Sequence, residues 1–260
     1  MRHRMVLANS AVAFALALLA MITLHEIAHG VAALIQGQRP VIFPGSEDDN
    51  AVTVGAKVFI ALGGPVWSLF SGALVLALLQ VRGASPFWRL AVLWYGLLSV
   101  QEFSGYLIVG LFTDIGDIGS TYELLGTPFW LKLVVFAIGC VLTYLTGRIA
   151  TQRLLELTDP AAEIAPQLRD LGLFAWLLGV AIAVIVSLPS SQFSTPSANV
   201  LFELLGTLTS GIFLVWVWWF MKHLQVRHQS PTFGWPIGGV VALVALALVR
   251  IVVFGPGLTL

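Results

Sequence analysis

The chain has 260 residues, with 13 Lys or Arg balanced by 13 Asp or Glu, and a formal net charge of zero. Hydrophobic residues make up 58% of it, charged residues only 10%, and the mean hydropathy is +0.93. Soluble domains carry about 25% charged residues, so this composition excludes an ordinary water-soluble globule, and the lack of a basic cluster argues against a nucleic-acid partner.

The chain starts with Met1-Arg2-His3-Arg4 and then runs apolar for about 30 residues, well beyond the ~7–15 of a signal-peptide core. This predicts a retained membrane helix. Between positions 5 and 35 the run holds no proline and no charge outside one motif, His25-Glu26-Ile27-Ala28-His29-Gly30. Two histidines four residues apart project from one helical face, about 40° apart around the axis. That spacing lets two imidazoles bind one metal ion, with the intervening carboxylate placed to act as a general base on water. Ionisable groups inside apolar helices are expensive and mark functional sites, so the motif reads as a catalytic zinc signature within a membrane helix.

After this helix, Val41-Ile42-Phe43 and Ala51-Val52-Thr53-Val54 flank a polar turn and suggest a short β-hairpin. Six further apolar stretches, at roughly 57–80, 88–112, 129–149, 171–188, 200–221 and 237–254, approach or exceed the ~20 residues of a membrane span. The expected fold is all-α and polytopic, with about seven transmembrane helices (six to eight). It forms a single transmembrane domain over 1–260, with a core at about 5–125 and additional helices at about 129–260. Segments 159–170 and 190–197 read as polar connectors. Cys140 is the only cysteine and forms no intrachain disulfide. Nine Trp and sixteen Phe suit membrane interfaces. Arg2, Arg4, Arg82, Arg89, Arg148, Arg153, Arg169, Lys222 and Arg227 fall on one side of these spans, and Arg39, Lys57 and Lys132 on the other. By the positive-inside bias this implies a multi-pass protein of the plasma or inner membrane with a cytosolic amino terminus.

A catalytic zinc needs a third protein ligand and one open position. His3, His223 and His228 lie at the expected cytosolic ends, away from the motif. Asp114 and Asp117 follow the third span and reach the motif if that helix breaks at Gly110 or Gly116. Asp114 is the favoured third ligand and Asp117 the alternative, with the second aspartate free to orient a histidine or the chain end. Glu102 sits about 18 Å earlier along the helix than Asp114 and reads as a hydrogen-bonded core carboxylate.

With His25, Glu26 and His29 in an apolar helix and a later aspartate-bearing segment around Asp114, the chain resembles the site-2 protease family of intramembrane zinc metalloproteases. Leu62-Gly63-Gly64-Pro65 is similar to the family's Gly-Pro element, although Val66-Trp67-Ser68 follows where the family commonly has asparagine. The resemblance covers about residues 20–120. It implies one zinc ion held by His25, His29 and an aspartate, with Glu26 as the catalytic base. It also implies a membrane-anchored protein substrate cut in or near its membrane segment. Gly63, Gly64 and Pro65 would contribute free backbone groups to substrate binding, unless they serve helix packing. Two other functions fit the same residues: a transporter or channel passing protons or metal ions along His25, Glu26, Glu102 and Asp114, and an inactive protease-like scaffold.

Overall fold

The computed structural model describes residues 2–78, 85–188, 198–229 and 231–260. The first apolar run forms one helix, α1 (Arg2–Ile35). At 1.5 Å per residue its 34 residues extend for about 51 Å, so it exceeds the thickness of a bilayer core. A short hairpin follows, with β1 (Val41–Phe43) paired antiparallel to β2 (Ser46–Asp48). Then come α2 (Val54–Leu78), α3 (Pro86–Val109), the short α4 (Asp117–Leu125) and α5 (Phe129–Glu156). The segment from α6 (Ile164–Leu168) through a π-helical turn (Arg169–Leu173) to α7 (Phe174–Ser187) is one further span. The chain continues with α8 (Ala198–Thr209), a 3-10 turn (Ile212–Trp216), α9 (Val217–Phe220) and α10 (Ile237–Val249). A π-helical turn (Arg250–Phe254) extends α10, and β3 (Leu258–Thr259) pairs with β1.

Among the described residues, six helices are long and apolar enough to cross a membrane. The protein is a helical polytopic membrane protein with a small three-stranded sheet in the order β2-β1-β3. Two details differ from the sequence reading. The stretch at 200–221 is not one helix but α8, a 3-10 turn and α9, because the chain breaks at Ser210-Gly211. There Gly211 packs so closely on the Trp176 ring that a Cβ would collide with it. The second hairpin strand is β2, not 51–54. Thr53 instead caps α2, its hydroxyl accepting the Ala56 N–H at 3.2 Å, which commits the following residues to helix. The connector at 190–197 and the end of the second apolar stretch, with Arg82, lie outside the described residues.

α1 is the central helix, packed against α2, α3, α7 and α10. Phe14, Leu18 and Leu19 meet Trp94 and Leu97 of α3, and all of these side chains are fully buried. Several polar groups in this core are paired with one another or with backbone carbonyls, which matters where no water can replace a lost partner. Trp94 Nε1 donates to Ser10 Oγ at 3.0 Å, and Ser10 Oγ donates to the Leu171 carbonyl at 2.6 Å. Arg250, 2% exposed, donates to the Leu19 carbonyl at 3.3 Å and to the Thr23 hydroxyl, tying the end of α10 to α1 just before His25. Small residues let backbones approach. A Cβ on Gly63 would lie 2.9 Å from Ala32 Cβ of α1, and one on Gly72 2.8 Å from Ser99 Cβ of α3.

Candidate metal centre

Three spanning helices build the site, and each presents residues four apart, so that they share one face. α1 carries His25 and His29, α2 carries Ile60, Gly64 and Ser68, and α3 carries Glu102 and Tyr106. The fourth contribution comes from the first residue of α4. α3 ends at Val109, Gly110 caps it, and the chain turns back through Gly116 at φ +78°, a conformation that favours glycine. Gly119 then allows α4 to pack on the turn, where a Cβ would run into the Thr113 carbonyl. Asp117 is thereby carried back to the two histidines.

His25, His29 and Asp117 each offer one ligand atom in a single cluster. The two Nε2 atoms are 3.0 Å apart, and Asp117 Oδ2 lies 3.0 Å from that of His25 and 3.3 Å from that of His29. Tetrahedral zinc with bonds of about 2.0–2.1 Å places its ligand atoms roughly 3.3 Å apart. Asp114, the first choice on sequence, is elsewhere. Its side chain is 61% exposed and lies 3.5 Å from Lys132 Nζ. The two aspartates do not share a helical face, because the turn ending at Gly116 separates them. The geometry therefore gathers Asp117, the alternative, with the two histidines, and leaves Asp114 apart from them.

The hydrogen bonds behind the rings fix their tautomers. His29 Nδ1 is 2.7 Å from the Ile60 carbonyl, which can only accept, so Nδ1 carries the proton. Ser68 Oγ donates to Glu102 Oε2 at 2.7 Å, and the same hydroxyl accepts from His25 Nδ1 at 3.1 Å. Both Nε2 atoms then present lone pairs, and so does the Asp117 carboxylate. Three acceptors aimed at one point repel one another unless a cation sits among them. Gly64 keeps that point clear, since a Cβ there would collide with both Nε2 atoms. The residues present could therefore hold a divalent metal ion, for which two imidazoles and a carboxylate are suitable ligands.

Around this cluster the site is largely closed. His25 is 1% exposed, His29 5% and Glu26 8%. The Tyr106 ring stacks on His25 with centroids 5.6 Å apart and planes at 8°. The open side is a cavity of about 780 Å³ with Glu26, His29 and Asp117 in its wall. Residues 45–49 of the hairpin form part of its rim. Glu47 there has its carboxyl pushed up to about 7, chiefly by burial and then by Asp49.

The other sequence candidates are placed as follows. Glu102 is a hydrogen-bonded carboxylate behind His25, as expected. Gly63, Gly64 and Pro65 lie inside the continuous α2. Gly63 serves helix packing, Gly64 clears the metal position, and Pro65 supplies no N–H to the Ala61 carbonyl one turn earlier. His3 contacts Asp170 at 3.1 Å, and His228 contacts Thr158 at 3.0 Å. Ser68, Tyr106 and the Ile60 carbonyl escaped the sequence reading. Their signal was the four-residue register of 60, 64 and 68 and of 102 and 106. No family model matches the chain, and neither curated proteins nor solved structures give a match.

Proposed function

We propose that the chain is an intramembrane zinc metalloprotease that hydrolyses a peptide bond in or near the membrane segment of a membrane-anchored protein. The observation that carries this reading is the convergence of three lone pairs, from His25, His29 and Asp117, beside a buried glutamate at the foot of a cavity. His25, His29 and Asp117 would hold the ion. When bound, zinc supplies a Lewis acid that acidifies water and polarises a carbonyl. Glu26 accepts the proton released as water attacks the scissile carbonyl and hands it to the leaving amine, so it acts first as base and then as acid. Glu26 is not itself a ligand.

A helical substrate hides its carbonyls, so the segment to be cut must unwind. Unwound backbone needs partners inside a membrane. The sheet order β2-β1-β3 covers both edges of β1 and leaves the outer edge of β2 without a strand beside it among the described residues. Ser46, Glu47 and Asp48 of β2 also line the cavity, so an extended substrate strand added there would run past the metal position. In line with the charge bias, the reading puts the cavity mouth on the face opposite a cytosolic amino terminus.

The test is Glu26→Gln. Zinc content should stay at wild-type level while cleavage of a membrane-anchored reporter falls by about 10²–10⁴-fold, the range for a lost general acid–base. Full cleavage by a well-folded Glu26→Gln protein would refute the reading.

A further inference from the structure

The two histidines are supported unequally. Behind His29 stands a neutral backbone carbonyl, that of Ile60 at 2.7 Å. Behind His25 stands an anion, reached in two ways. Ser68 Oγ bridges His25 Nδ1 at 3.1 Å to Glu102 Oε2 at 2.7 Å, and Glu102 Oε2 also lies 3.4 Å from Nδ1 itself. The three groups come from three different helices. Their register depends on close α2–α3 packing, where Gly72 meets Ser99 and Gly96 meets Leu76. The His25 side chain is 2% exposed and that of Glu102 15%, so little water screens the pair.

We infer that Glu102, acting through Ser68, is a positioning residue that sets the metal affinity of His25 without touching the metal. The inference rests on the zinc reading above. A carboxylate behind a ligating imidazole holds the ring orientation, fixes the proton on Nδ1 and makes Nε2 a better donor. Its negative charge also lies just outside a cage that receives a dication in a low-dielectric surround, where uncompensated charge is costly. Asp117 supplies one such charge inside the cage and Glu102 a second one outside it. Ser68 is the element that makes this work at this distance. Its single hydroxyl proton goes to Glu102, which leaves its lone pairs for His25.

The experiment is a chelator-competition titration of Zn²⁺ on the purified full chain in detergent. It compares wild type, Glu102→Gln, Glu102→Ala and Ser68→Ala, with Co²⁺ absorption spectra and metal-free thermal unfolding recorded for each. Glu102→Ala should weaken zinc binding by about 10–100-fold, the usual effect of removing such a partner. Glu102→Gln keeps an acceptor for Ser68 but loses the charge, and should fall between Glu102→Ala and wild type. The Co²⁺ spectrum should change in Glu102→Ala as the His25 ring loses its anchor. If Glu102→Ala does not fold, the isosteric Glu102→Gln and Ser68→Ala decide the matter. Wild-type zinc affinity in both Glu102 variants, whatever their unfolding temperatures, would overturn the inference alone and assign Glu102 to helix packing. A wild-type protein that binds no zinc would overturn the metal reading itself, and the inference with it.

Discussion

At position 64 a methyl group in place of a hydrogen would occupy the space faced by both Nε2 atoms. Gly64→Ala should therefore lose zinc although every ligand is intact. Asp117→Ala should lose zinc because it removes one, and Asp114→Ala should keep it. Elemental analysis of the three purified variants checks all of this at once, and retention of stoichiometric zinc by Asp117→Ala would reject the proposed ligand set. At this scale the sequence was informative wherever chemistry is local. His25, Glu26 and His29 form a helical i, i+4 pattern that needs no tertiary information. The choice between Asp114 and Asp117 was not local, because it depends on a chain reversal at Gly116 and on how tightly Gly119 lets α4 return. Ser68 and Glu102 were legible only as polar residues in apolar helices. Their partnership requires the relative rotation of α2 and α3, which hydrophobic periodicity does not encode.

Among the elements, β2 carries the clearest pH response. Glu47 on this strand has its pKa raised to about 7 by burial, reinforced by Asp49, Glu26 and Asp48 and opposed by His29. In the unfolded chain the carboxyl ionises near its ordinary value of 4.5. Between the two values the folded protein holds a proton that the unfolded chain has released, so stability falls as pH rises through that window. Glu47→Gln removes the titration. The unfolding midpoint of the metal-free variant should therefore rise relative to wild type between pH 5 and pH 8, and an unchanged difference across that range would contradict the assignment. The elements themselves were mostly foreseeable from composition, since long apolar runs leave a membrane chain little choice but helix. The misreadings arose where short polar signals competed. Thr53 was read as strand but caps α2, and the run at 200–221 was read as one span although Gly211 yields to the Trp176 ring.

For the molecule as a whole, α1 organises everything else. Its amino-terminal half forms the apolar core with α3, α7 and α10, while its carboxyl-terminal half carries His25, Glu26 and His29. Arg250 is bonded to Leu19 and Thr23 where the two halves meet. The great length of α1 and the place of Glu26 along it act together as a measuring rod. Glu26 lies about 36 Å from the start of the helix but only about 14 Å from its end beside the sheet. A substrate helix as long as α1 and lying alongside it would be severed about nine residues from its sheet-side end, giving two fragments of very different length. Mass spectrometry of the fragments from a reporter whose helical segment matches the 34 residues of α1 would read that offset directly, and a cut at the segment's centre would contradict it. A substrate of this kind would be selected by how far from its border it can be frayed, so helix-breaking residues near that one end should govern susceptibility more than any side chain at the cut itself.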